Sequence, residues 1–360
     1  MPRQDINEKP FDEGTLTKLE IFQLYVREWL PVFLAREKIV WPQVHLFDFF
    51  CGSGTDSKGI AGSPLRILEE LAKQPAWLAR RDVSTTVHFF DEKSEKIDDL
   101  KAGIEQRGFN VLGANFTIEA GEFSKTFEKA KSLLCSGSTA CLVFLDQYGI
   151  KDVSEDVFKF LVGCPCTDFL FFISSAIFSR LGDQPCIRKY LDLGKPEDSY
   201  EAHRAVADHF RRWIPAGTDY YLAPFSIKKG ANVYGLVFGS GHPLGMEKFL
   251  RVAWKKDQLN GEANFDINRE GLSAQQPSLF NERPTKVTAF EADLRNGIIA
   301  RRLCTEADIY RFCISGGMTP SHAEPVIMAM KREGLVECTW SVPQIKSLKD
   351  SRPFSVSPKD

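Results

Sequence analysis

Val44-His45-Leu46-Phe47-Asp48-Phe49-Phe50 is an almost unbroken apolar and aromatic run, and Cys51-Gly52-Ser53-Gly54-Thr55 follows it directly. A run of that length and composition fits a parallel-type strand covered on both faces. The glycines then remove Cβ where the backbone must turn sharply and where a ligand can approach closely. Asp48 stands near the carboxyl end of the run, the end at which open α/β sheets bind their ligands. Few folds accommodate a buried strand, an acid and a bare turn in this order, and a nucleotide-type cofactor is the guest they suit.

The rest of the chain repeats the pattern. Thr85–Phe90 is a second strand and ends on Asp91-Glu92; Phe116–Ala120 is a third and leads to Gly121-Glu122-Phe123. Cys141–Leu145 is a fourth, ending on Asp146-Gln147-Tyr148-Gly149, and Phe169–Ile173 is a fifth. Helices fall between them, near 94–107 and from Phe123 through Phe127, Ala130 and Leu134. Alternation of this kind predicts a doubly wound, mostly parallel α/β sheet. Two β-rich runs, 220–227 and 233–239, flank Lys228-Lys229-Gly230-Ala231-Asn232 and predict an antiparallel hairpin at its edge.

A helix from Thr17 carries Leu19, Phe22, Val26, Trp29, Leu30 and Phe33 at three- and four-residue steps. Pro31 predicts a kink or break, and the helix is expected to pack across the sheet edge. Gly62, Ser63 and Pro64 suit a loop, an N-cap and a first helical position, opening a helix over 65–71. The loop before it is longer than a nucleotide-binding turn requires, as active-site loops often are.

A polar, proline-bearing stretch at 271–284 reads as a linker between a domain over 1–270 and a smaller one over 285–360. In the latter, Thr305 to Asp308 opens one helix, Gly316-Gly317 ends it, and Thr319-Pro320 begins another that Gly334 stops. With 335–340 as a strand, the order predicts a winged-helix-like domain.

Four acids, Asp48, Asp91, Glu122 and Asp146, thus sit at or just past strand ends, which line one crevice in a parallel sheet. Carboxylates there accept from ribose hydroxyls and from an adenine amino group. Asp91 suits the ribose; Glu122 suits the adenine side, with Phe123 as a stacking neighbour. A P-loop does not fit, because Lys58 stands at the wrong spacing and no Ser/Thr follows it. A nicotinamide dinucleotide site would need a third glycine opening a helix at once, where 56–63 intervene.

The Asp48–Thr55 stretch is similar to the cofactor motif of S-adenosylmethionine-dependent methyltransferases, above all those acting on exocyclic amines of nucleobases. Asp146-Gln147-Tyr148-Gly149 resembles a variant of their Asp-Pro-Pro-Tyr element, with Gln147 for proline and Tyr148 one place early. More closely, the chain resembles the three-Cys-motif partner proteins, a bacterial family. The marks are the Asp-x-Phe-Cys-Gly-x-Gly turn, Gly62-Ser63-Pro64-Leu65, the Asp-x-Tyr-Gly element and Ala253-Trp254-Lys255-Lys256-Asp257. The resemblance implies a class I methyltransferase-like fold and S-adenosylmethionine as cofactor. It places Asp48, Phe50, Cys51, Gly52, Gly54, Ser63, Asp91, Glu92, Glu122, Phe123 and Asp146 around that cofactor. Asp146, Gln147 and Tyr148 would serve the methyl acceptor. A nucleic-acid base amine is the expected target. A protein or peptide target, or a cofactor-fold binding module without transfer, is the alternative that the altered Asp-Gln-Tyr-Gly element keeps open.

Composition limits the partners. A formal net charge of -2 supplies no global basic field, so nucleic acid would have to meet a local patch. Arg211-Arg212-Trp213 and Lys228-Lys229 interleave basic and aromatic residues and could track a phosphate backbone, but such charge pairs stand far more often on solvated faces. Either nucleic acid or a three-Cys-motif partner protein is the expected partner. Nine cysteines without a recognised secretory signal predict a reducing cytoplasm. Cys164-Pro165-Cys166 with Cys186 lacks zinc-ligand spacing, and His203 and His209 do not make a metal pair, so no metal is expected. No apolar run is long enough to span a bilayer.

Overall fold

The computed structural model describes residues 9–146, 154–174, 202–229, 232–267 and 284–356. It divides into two compact units, Met1–His242 and Pro243–Asp360.

The first unit opens with helix α1 (Glu13–Leu34), capped by the Asp12 side chain, which accepts from Thr15 N at 2.9 Å. That cap starts the helix before the expected Thr17. The helix also runs through Pro31 to Leu34 instead of breaking there. Next come β1 (Gln43–Asp48), α2 (Ser63–Ala72), β2 (Ser84–Asp91), α3 (Ser94–Gln106), β3 (Asn115–Ala120) and α4 (Phe123–Leu134). They are followed by β4 (Thr139–Leu145), α5 (Glu155–Val162), β5 (Thr167–Ser174), α6 (Ala202–Trp213), β6 (Tyr221–Lys229) and β7 (Asn232–Ser240). The seven strands form one sheet in the order β3-β2-β1-β4-β5-β7-β6. Pairing is parallel from β3 to β5, and only β7 runs antiparallel to its neighbours β5 and β6.

Alternation along the central strands gives the sheet two apolar faces. On one, Phe47, Phe49, Val143 and Leu145 pack with Phe127 of α4 and Phe158 of α5. On the other lies α1, which runs across β4, β5 and β7 to the edge strand β6. Phe22 stacks on Phe144 of β4 at 4.0 Å between ring centroids, and Tyr25 meets Phe238 of β7 at 4.9 Å. Lys18, Phe22, Tyr25 and Trp29 form the inward stripe, spaced as one helix face requires.

Gly62, not Ser63, is the N-cap of α2; Ser63 is already helical, with Pro64 beside it in the first turn. The loop before α2 is closed by Asp56, whose Oδ1 accepts from Lys58 N at 2.8 Å and Ile60 N at 2.9 Å. Its Oδ2 accepts from Phe11 N at 2.7 Å, fastening the amino-terminal segment to this loop.

The second unit contains α7 (Pro243–Lys256), α8 (Lys286–Ile299), α9 (Glu306–Ser315), a 3-10 turn at Pro320–Ala323, α10 (Glu324–Arg332), β8 (Val336–Glu337) and β9 (Ser355–Val356). α7, expected within the first domain, belongs here for a plain reason: its polar side chains find their partners here. Trp254 Nε1 donates to Gly317 O at 2.9 Å, and Glu247 accepts from Tyr310 Oη at 2.7 Å. Asp257, just past α7, accepts from the amides of Leu259, Asn260, Glu262 and Ala263. Residues 268–283, which include all of the expected linker but its last residue, lie outside the described residues.

Thr305 and Asp308 make a full capping box at the start of α9. The single helix expected after Thr319 is a 3-10 turn followed by α10, with Pro325 in the first turn of the latter. Of the strand expected over 335–340, only Val336 and Glu337 pair, with β9.

Candidate functional site

The site forms where the strand order turns back on itself. β1 lies between β2 and β4, and the connections from these two leave in opposite directions, which opens a crevice above β1. The chain keeps to this slot past the end of β1. Phe49 N donates to Phe144 O at 3.3 Å on one side, and Cys51 N donates to Phe90 O at 2.9 Å on the other. The turn then swings out through Gly52 (φ 63°) and Gly54 (φ 86°), left-handed conformations that disfavour a side chain. At Gly54 a Cβ would also lie 2.7 Å from Leu100 Cδ1, so this glycine lets α3 approach the turn.

Register sets the acids around this turn. Asp48 pairs with Phe89 on β2 and with Phe144 on β4. Asp91 and Asp146 therefore each stand two residues beyond Asp48's neighbours, one on either side of Phe50. Asp91 Oδ2 accepts from Gly52 N at 3.1 Å, and its Oδ1 accepts from Lys93 N at 3.0 Å, which ties the turn to the end of β2. Each oxygen keeps acceptor capacity for a further donor.

Asp48 is fully buried. Its Oδ1 accepts from Phe50 N at 3.2 Å, whereas its Oδ2 is buried without a hydrogen-bond partner. Burial raises its pKa to about 7; the Ser63 hydroxyl and the Phe50 amide oppose the rise, and the charges of Asp146 and Asp91 add to it. Register thus gathers three strand-end carboxylates around one turn. Cys51 is buried beside them, and burial together with Asp48 and Asp91 pushes its thiol well up, so it is not a nucleophile.

Asp146 makes an unexpected bond. Its Oδ2 pairs with the Lys18 ammonium of α1, which also lies 4.6 Å from the centroid of the Phe172 ring. The Lys18 side chain is only 4% exposed, against 22% for Asp146, so the lysine supports the carboxylate from beneath. Sequence reasoning missed Lys18. The signal was a lysine four residues before Phe22, on the apolar stripe of an amphipathic helix, where an ordinary surface lysine does not belong.

On the other flank Glu122 caps α4, with its side chain 57% exposed and paired to Lys125 at 2.9 Å. Phe123 is half-buried and stacks on Phe50 with centroids 5.3 Å apart, while Phe49 meets it edge-on at 5.5 Å. Glu92 is exposed beside Asp91, and Ser63 is buried at the start of α2. The structure thus brings Asp48, Asp91, Asp146, Ser63 and the glycine turn together and sets Glu122 and Phe123 at the adjoining strand end. Gln147 and Tyr148 lie outside the described residues. Among the described residues no group of three or more His, Cys, Asp or Glu side chains is placed to hold a metal.

Strand order, the reversed β7 and the crevice above β1 together define a class I methyltransferase-like fold. No family model and no curated protein matches the chain. Solved structures similar to it include Trm1 from Pyrococcus horikoshii in complex with S-adenosyl-L-methionine: 11% identity, 64% of this chain, 56% of that one, TM-score 0.37. The O-methyltransferase TomG from Streptomyces achromogenes, in complex with SAM, shows 9% identity over 64% of this chain and 90% of its own, with a TM-score of 0.33. Spermidine synthase from Thermotoga maritima shows 12% identity over 66% and 62%, with a TM-score of 0.32. The chain spans little more than half the length of Trm1. At such values the topology and the site geometry, not the likeness, carry the reading.

Proposed function

We propose that this protein is an S-adenosylmethionine-dependent methyltransferase whose acceptor is an exocyclic amine of a nucleic-acid base. The observation that carries the cofactor is the crevice above β1, where Asp48, Asp91 and Asp146 flank a glycine turn and Asp48 Oδ2 is buried without a partner. A buried carboxylate oxygen needs a donor, and the cofactor's ammonium is of the right charge. Asp91 fits the ribose hydroxyls, and Glu122 with Phe123 fits the adenine end. Bound S-adenosylmethionine supplies a methyl group on a good leaving group, so the protein's task is mainly to align the acceptor. Asp146 would accept an amine N–H at the mouth of the site, with Lys18 pairing to its carboxylate from beneath.

The test has two arms. S-adenosylhomocysteine should raise the melting temperature of the full chain and bind at a single site per chain in calorimetry. Labelled methyl should then pass from the cofactor to DNA or RNA, and Asp146→Ala should remove transfer while sparing binding. Label in a protein pool alone would move the acceptor to a peptide.

A second reading, a binding or regulatory module that keeps the cofactor site without transfer, is favoured by the Lys18–Asp146 pair. A carboxylate already neutralised by a buried ammonium is a weaker acceptor for an incoming amine. Cofactor binding without label in any pool would select it.

We further propose that the second unit is winged-helix-like. Support comes from its order: helix α8, a bridge at Thr305 to Pro353, helices α9 and α10, and the antiparallel pair β8 and β9. The exposed residues of α10 include Glu324, Pro325, Met328 and Arg332, a set poor in base-reading donors. That composition suits docking of a protein, in line with the three-Cys-motif partner resemblance. Among the described residues no helix is long and apolar enough to cross a membrane.

A further inference from the structure

Far from the crevice, at the amino ends of β4 and β5, the structure pairs two thiols that nothing in the residue pattern connects. Cys135 Sγ and Cys164 Sγ lie 3.3 Å apart although 29 positions separate them. Cys135 caps the carboxyl end of α4 and is exposed, whereas Cys164 follows the last turn of α5 and is 4% exposed.

The surrounding backbone is pinned so that the two sulfurs must face each other. Thr167 Oγ1 donates to Leu134 O at 3.1 Å, fastening the residue before Cys135 to the start of β5. Thr139 Oγ1 donates to Leu133 O at 2.6 Å and closes the turn on the other side. Cys164 Sγ also donates to Phe160 O at 3.2 Å, which fixes its rotamer. The nearby Cys141 is turned away, its thiol donating to Leu133 O at 3.8 Å. A disulfide needs sulfurs about 2.05 Å apart, so a movement of about 1 Å would close the bond.

We propose that Cys135 and Cys164 form a dithiol–disulfide site that a hydroperoxide oxidises. The exposed Cys135 thiol gives up its proton and its sulfur attacks one peroxide oxygen; the O–O bond breaks, the departing hydroxide takes up that proton and leaves as water, and Cys135 becomes a sulfenic acid. Cys164 sulfur then attacks Cys135 Sγ, the S–O bond breaks, and the departing hydroxyl takes the Cys164 proton as a second water. Two thiols lose two electrons and two protons, and one hydrogen peroxide becomes two waters. The order of events follows from access: burial pushes the Cys164 thiol well above its ordinary value and keeps it from reacting first, so it acts as the resolving partner.

The experiment treats the full chain with stoichiometric hydrogen peroxide, blocks free thiols with N-ethylmaleimide, and maps a non-reducing digest by mass spectrometry. A peptide joined through Cys135 and Cys164, released by dithiothreitol, is expected. The oxidised chain should melt roughly 5–10 °C higher than the reduced one, because the bond closes a loop of this length without large rearrangement. Cys135→Ser, at an exposed position, should remove both the cross-link and the redox-dependent shift while leaving the reduced melting temperature within about 2 °C. Cys141→Ser should leave the cross-link in place. Recovery of Cys135 as a sulfinic acid, its linkage to Cys141 or Cys166, or alkylation of both thiols after peroxide would each overturn the assignment.

Discussion

The two ends of the sheet each hold an aspartate raised by its surroundings, and they treat it in opposite ways. At the amino end of β5, burial raises Asp168 to about 6, but Tyr25 Oη donates to its Oδ2 at 2.7 Å. At the carboxyl end of β1, Asp48 is raised further, to about 7, and keeps one oxygen without a partner. The first is a structural tie that fastens α1 to β5. The second leaves one buried carboxylate oxygen unmet, which is what the proposed cofactor site calls for. An elevated pKa is thus shared by both; the unmet hydrogen bond is what distinguishes the proposed binding aspartate from the one that Tyr25 holds.

Breaking the Tyr25–Asp168 tie should produce the largest change. Asp168→Ala withdraws the acceptor from Tyr25, in the buried stripe of α1. A loss of roughly 2–3 kcal/mol of unfolding free energy is expected in urea titration, with little effect on cofactor affinity once folded. A loss under about 0.5 kcal/mol, the range of an ordinary surface substitution, would remove the contrast between the two ends.

Asp48→Asn should do the reverse. Stability should hold or rise, since the substitution removes a buried carboxylate, while affinity for S-adenosylhomocysteine should fall roughly 10–100-fold in calorimetry. The pH dependence sharpens the same point. Because the folded pKa lies above the unfolded value, the unfolded chain gives up its proton first as pH rises. The ligand-free protein therefore loses stability from Asp48 between pH ~4 and pH ~7, and this contribution is level above that window. Ligand affinity should instead increase as pH rises through about 7, because the ionised carboxylate is the form that binds an ammonium. If the Asp48→Asn variant followed the same affinity-against-pH curve as the parent, Asp48 would be detached from the cofactor.

Lys18→Met sits between these extremes. The pair with Asp146 is nearly enclosed on the lysine side and partly open on the other, so a loss of roughly 1–2 kcal/mol is expected in urea titration. Affinity for S-adenosylhomocysteine should change by less than about threefold if Asp146, the partner of Lys18, serves the acceptor as proposed. A large loss of cofactor affinity would show that Asp146 belongs to the cofactor side of the crevice.

The same contrast explains what could be read from the residues. The strands, their order of chemistry-bearing ends and the edge hairpin were legible because buried strands are written as apolar runs and the glycine turn follows β1 at once. Asp48, Asp91 and Asp146 were legible for the same reason: each is an acid at the end of such a run. Lys18 was not, because its partner lies 128 positions away and only the packing of α1 over β4 joins them. The placement of α7 was obscured in a similar way. Trp254 and Asp257 look like a continuation of the hairpin region, yet their hydrogen bonds go to Gly317 and to the loop at 259–263. Pro31 misled because its cost falls on a single hydrogen bond near the end of a long helix whose buried stripe outweighs it.

The smallest effect is expected at Glu122, the acid that differs most from Asp48. Its side chain is mostly exposed, and its partner Lys125 is more exposed still, so the pair contributes little to folding. Glu122→Gln should leave the melting temperature within about 1 °C. If Glu122 accepts from the adenine end of the cofactor, affinity for S-adenosylhomocysteine should fall about three- to tenfold, and adenosine alone should lose affinity by the same factor. If both affinities stay level, recognition at that end rests on the Phe50–Phe123 stack, and Phe123→Leu should then produce the drop that Glu122→Gln does not.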